Sequence, residues 1–128
     1  MNEKGMALLL VLVILAMMSM LTLHTLVLYQ QEKEFLGLEK SMQKLDWLIV
    51  NGKDEVIHLL KLDEDHNITS GELVYDDGVV FYFVTSSEQA DVVALEGETD
   101  DNYAKRATFS YNRETKKMEN WREMMIWN

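Results

Sequence analysis

The chain contains no cysteine, which excludes a disulfide framework, a thiol nucleophile, a cysteine zinc site and a cysteine-ligated iron–sulfur cluster. It also contains no proline, the residue that most often loosens or breaks a long helix. Basic residues are few: 12 lysines and arginines stand against 22 aspartates and glutamates, for a formal net charge of −10. The acidic residues are spread through 54–123, so a surface that grips phosphate backbones by counterion release is disfavoured, and no direct nucleic-acid binding is expected from this chain alone. There is no G-x-S-x-G, no H-E-x-x-H and no Walker loop, and no second histidine is placed to act with His58 or His66. No catalytic residue, cofactor or resident metal is therefore expected, and the chain is read as not an enzyme.

What the sequence does have is one long apolar run, from Met6 to Leu28, interrupted only by Ser19, Thr22, His24 and Thr25. As a helix it is about 34 Å long, enough to cross a hydrocarbon core of roughly 30 Å. A cleaved export signal needs a shorter stretch followed by a small-residue site. The nearest approach here, Ser19-Met20-Leu21, has the wrong third residue. The N-terminal amine and Lys4 lie on one side against Glu3, with "QQEKEF" on the other, which favours a cytoplasmic N-terminus and an external C-terminal region. His24 lies about 27 Å along the helix from Met6, so it is read as an interfacial histidine and not as a proton relay. Met17, Met18 and Met20 are read as adaptable packing groups.

After Leu28 the apolar positions become periodic. Phe35, Leu38, Met42, Leu45, Ile49, Val56 and Leu59 mark one face of an amphipathic helix, and Trp47, Leu48 and Leu60 widen it as expected for a helix lying on a sheet. Asn51-Gly52 offers either a kink or a helix end. "LDEDHNITSGE" has no periodic apolar residues and reads as a linker. In "ELVYDDGVVFYFVTSS", β-branched and aromatic runs flank Asp76-Asp77-Gly78, a strong hairpin signal. "ADVVALEGE" supplies a third strand. "AKRATFSYNRETKKMENW" supplies a second hairpin, in which Ala107, Phe109 and Tyr111 alternate with Thr108 and Ser110, and Met118 to Trp121 begin the return. The expected fold is α+β: one long N-terminal helix, half in the membrane, whose outer half packs on an antiparallel sheet of four or five strands.

Asp63, Glu64, Asp65 and His66 in succession, and the pair Asp100-Asp101, raise the question of a calcium site. The glycine turn and ligand spacing of an EF-hand are absent, and solvated acidic loops are the preferred reading. Asp76 and Asp77 are explained by turn chemistry. Trp121, Trp127 and the terminal "MMIW" are expected to complete the core, with an exposed subunit contact as the alternative.

The border "MNEKGM" has Lys4-Gly5 directly against the apolar run. It resembles the leaders cut by prepilin peptidases in type IV pilins and pseudopilins. That resemblance implies cleavage between Gly5 and Met6 and N-methylation of Met6. Most pilins carry a glutamate five residues after the cut, where this chain has Leu10, a departure that suits a subunit with no neighbouring amine to neutralise, such as one at a filament tip. The leader, the missing glutamate, the extended helix with "NG" in its outer half and the ending "ATFSYNRETKKMENWRE" together resemble ComGG, a family of minor pseudopilins of the competence machinery.

The resemblance implies a leader (1–5), a transmembrane and pilus-core helix (6–28), an outer amphipathic helix (29–62), a linker (63–71) and a sheet region (72–128). It further implies a minor pilin that helps assemble or cap a type IV-like competence pilus used to take up external DNA. Its partners would be the other competence pilins, major and minor, the prepilin peptidase and the membrane. Its location would be the cell membrane as a single-pass protein, then the cell surface once assembled. The competing reading is a permanently anchored single-pass envelope protein for division or sensing, with a coiled-coil or sheet ectodomain. A secreted hydrolase or binding protein would require signal cleavage near Leu21 to Tyr29.

Overall fold

The computed structural model describes residues 2–65 and 67–126. One helix, α1, runs over Glu3–Leu62, followed by five strands: β1 (Ser70–Tyr75), β2 (Gly78–Ser86), β3 (Ala90–Thr99), β4 (Ala104–Asn112) and β5 (Lys117–Ile126). The strands form one sheet in the order β1-β2-β3-β4-β5, each antiparallel to the next. The expected α+β, pilin-like arrangement of one long helix and a small antiparallel sheet is therefore the fold of this protein. Two compact units divide the chain, one ending at Glu39 and the other beginning at Lys40.

The first unit is helix alone. Its residues from Met6 to Tyr29 are exposed, most of them strongly apolar. Ser19, Thr22 and Thr25 each donate a hydroxyl hydrogen bond to the carbonyl four residues back, on Leu15, Met18 and Leu21, at 2.8, 2.9 and 2.9 Å. These three polar groups are thus satisfied within the helix, which lets them sit in an apolar medium without an external partner. Phe35 and Leu36 remain 64% and 55% exposed, so the apolar stripe read from the sequence is not buried at its start.

In the second unit the stripe is buried. Ser41, Leu45, Leu48, Ile49, Gly52, Val56 and Leu60 turn inward and pack on the sheet. The other side of that core comes from Val80, Tyr82 and Val84 of β2, Val93 and Leu95 of β3, and Ala107, Phe109 and Tyr111 of β4. The alternation around Phe109 is the one read from the sequence. Trp47, expected within the stripe, is instead 48% exposed and meets Tyr75 edge-on, ring centres 5.5 Å apart.

The helix passes through Asn51 and Gly52 without a break. Asn51 donates its side-chain amide to the Trp47 carbonyl at 2.7 Å, and the glycine is required by packing, since a β-carbon there would lie 2.8 Å from Val80 Cγ1. The two-residue turn between β1 and β2 is Asp76-Asp77, with Tyr75 opposite Gly78. Gly78 opens β2, and a β-carbon on it would strike the carbonyl oxygen of Glu98 on β3. At the second hairpin, Asn112 Oδ1 accepts the amides of Glu114 and Thr115 at 3.0 and 3.3 Å, a side-chain turn that explains why "NRETKK" reverses the chain.

One irregularity sets the last strand. Thr108 pairs with Arg122 but Ser110 pairs with Glu119, so β5 has one residue more than β4 across this interval. Asn120 takes φ 57° there, in the left-handed region asparagine tolerates. The bulge turns Trp121 inward, where it stacks on Phe109 with ring centres 5.8 Å apart. Trp121 thus joins the core as expected. Met124 does not: it is 58% exposed. Trp127 lies outside the described residues.

Candidate functional site

The Lys4-Gly5 border of the apolar run lies within the first helical turn. The Asn2 carbonyl accepts the amides of both Gly5 and Met6, at 2.9 and 3.2 Å, and Asn2 and Glu3 are residues suited to a helix start. Nothing lies within 4 Å of where a Gly5 β-carbon would stand, and Met6 is 60% exposed. Extending the backbone at this border requires unwinding one turn, which glycine eases, since it costs a helix about 1 kcal/mol relative to alanine. Leu10, where a pilin usually has glutamate, is 62% exposed.

The segment beyond this border is long and apolar enough to cross a membrane, and none of its most apolar stretch is buried. One such helix near the N-terminus is consistent with a single-pass anchor. His24 sits on this helix, exposed.

Two of the acidic side chains in these runs accept hydrogen bonds within the fold. Asp63 Oδ2 accepts the Ile68 amide at 2.9 Å, tying the helix end to the start of the sheet. Asp101 accepts the Ser41 hydroxyl at 3.2 Å. Glu64 and Asp65 are exposed in a turn. Among the described residues no group of three or more metal-ligating side chains converges, and His66 lies outside them.

The ionic groups that converge do so at inward positions of the sheet. Lys105 is nearly buried and bonds both Asp46 of the helix and Glu123 of β5, the latter at 2.8 Å. Burial alone would lower its pKa, but the hydrogen bonds it donates to Asp46 and Glu123, with their negative charge, more than offset this and raise it. Asp91, 2% exposed, takes a fork from Arg113, whose Nε lies 3.1 Å from each carboxylate oxygen. That bond raises the Arg113 pKa. Tyr75 donates its hydroxyl to Glu55, and burial together with this partner holds its proton well above the ordinary phenol range. Sequence reading missed all three. Parity could have flagged two of them, since Lys105 shares a face with Ala107 and Phe109, and Asp91 with Val93 and Leu95. These pairs fix packing geometry; none of them sets a nucleophile beside a base.

The opposite face of the sheet is open. Phe83, Val92 and Val74 are 54%, 47% and 72% exposed there, beside Arg106, which bonds Glu96 at 2.8 Å. The surfaces on the described residues that are left uncovered thus include an unburied apolar helix and an open sheet face.

A family model described as ComGG: ComG operon protein 7 matches residues 29–123. The matched range takes in the outer helix and almost the whole sheet and begins after the apolar run. No curated protein and no solved structure matches.

Proposed function

This chain belongs to the ComGG family, a family of the competence ComG pilus system, and on that premise we propose that it is a minor pilin which helps assemble or cap a type IV-like pilus used to take up external DNA. The observation that carries the reading is the family match over 29–123 on a chain whose preceding helix is apolar and unburied. In this reading a prepilin peptidase cuts between Gly5 and Met6 and methylates the new amine of Met6. Residues 6–28 stay in the bilayer with the N-terminus inside until partner proteins draw the subunit out, and then pack against the same segments of other competence pilins. Leu10 removes the carboxylate that would pair with a neighbour's amine, which supports a place at the tip.

A permanently anchored envelope protein is the second reading. One observation favours it: the Gly5–Met6 bond is helical. The two separate on co-expression with a prepilin peptidase. The pilin reading expects a product shorter by the leader, and expects Gly5→Leu to stay full length. Equal size for both, with and without peptidase, supports the plain anchor.

A further inference from the structure

We propose that the free edge of β1 is a docking edge, which takes an extended, lysine- or arginine-bearing segment of another polypeptide as an added strand. The two edges of this sheet differ. β5 carries Lys117, Glu119, Arg122 and Glu123 and is bent by the bulge beside Asn120, the features that discourage strand pairing. β1, "SGELVY", has one charged residue, no lysine and no bulge.

The register shows what β1 leaves open. The Val84 amide donates to the Thr69 carbonyl at 2.7 Å, so pairs in step with Thr69 and Val84 are the hydrogen-bonded ones, namely Gly71 with Tyr82, Leu73 with Val80 and Tyr75 with Gly78. The amides and carbonyls of Ser70, Glu72 and Val74 consequently point away from β2, and all three residues are exposed. They form an alternating row of donors and acceptors, the template used in strand addition.

Charge selects the occupant. From Asp63 to Gly78 there is no lysine or arginine, while Asp63, Glu64, Asp65, Glu72, Asp76 and Asp77 are all acidic. A second copy would bring two such acidic edges together, whereas a basic strand places a cation beside Glu72, directly across the pair. On the helix side, Leu73 and Tyr75 favour apolar neighbours. Beside Gly71 a small one is favoured, because the Tyr82 ring fills the space above it.

The test uses the full chain in detergent micelles and amide hydrogen exchange. The probes are a seven-residue peptide alternating valine with lysine and its valine–glutamate counterpart. Expected are fast exchange at Ser70, Glu72 and Val74 in the free protein, slowing of about tenfold or more with the lysine peptide, and no slowing with the glutamate peptide. Glu72→Lys should exchange the two preferences. Val74→Pro removes only an outward donor, so it should abolish the effect while the thermal midpoint is kept. The proposal is overturned if these amides are already protected, if neither or both peptides act, or if the slowing survives Val74→Pro. Protection that grows with protein concentration alone would overturn it in favour of a second copy. The readout is independent of leader cleavage, so its failure leaves the pilin reading standing and the reverse also holds.

Discussion

Gly52 of the helix faces Val80 of β2 so closely that a β-carbon on the glycine would lie 2.8 Å from Val80 Cγ1, and Val80 is fully buried. Alanine at 52 would gain about 1 kcal/mol in helix propensity. It would also press on a short, stiff side chain in a packed core, at a cost of about 1 to 3 kcal/mol. The second effect should win. Gly52→Ala is expected to lower stability slightly and Gly52→Leu strongly, with Val80→Ala recovering part of the Gly52→Ala loss, measured as thermal midpoints in micelles.

Asn120 sits at φ 57° so that Trp121 can reach Phe109. Asn120→Gly should be neutral or mildly stabilising. Asn120→Val should cost about 1 to 2 kcal/mol, because a β-branched residue is strained in that conformation, and tryptophan fluorescence should shift toward that of an exposed ring.

The alkaline limb of stability should be steep. Tyr75, Tyr111 and Lys105 all have raised pKa values in the fold: burial leads for the two tyrosines, with Glu55 and Asp91 adding to it, while at Lys105 burial is overcome by Asp46 and Glu123. The folded chain therefore holds these protons more tightly than the unfolded one. Their contribution is fully present below the ordinary values of 10.0 and 10.5, and it is lost as pH rises through the raised ones. Tyr75→Phe and Lys105→Met should each flatten the fall in thermal midpoint above about pH 10.

Removing the Asp63 carboxylate should act locally. Asp63→Ala is expected to cost about 1 kcal/mol and to speed amide exchange at Ile68, whose amide it now accepts. Added calcium should change neither the parent nor the variant.

The parts legible in the sequence were those whose cause is local. Asp76-Asp77-Gly78 marks its turn by residue type, Asn112 of "NRETKK" holds its turn with its own side chain, and the Ala107-Phe109-Tyr111 alternation shows the buried face directly. What escaped reading depends on distant partners. Gly52 looked like a kink or a helix end because Val80 lies far along the chain, and Asp63 looked like part of a solvated acidic loop because its acceptor role needs the fold to bring Ile68 round. Met124 faces solvent because it lies three residues after the inward Trp121, with regular pairing between them; what the sequence hides is the bulge at Asn120 that turns Trp121 inward in the first place. Of the candidate site, the apolar run and the Lys4-Gly5 border were readable, whereas the helical state of that border was not.

The most direct measurement is the intact mass of the protein recovered from competent cells, with sequencing of its N-terminus. Processing to Met6 with one added methyl group, in a fraction that also contains other ComG pilins, is the predicted result. A chain that still begins at Met1 and stays in the membrane apart from those pilins would contradict the account.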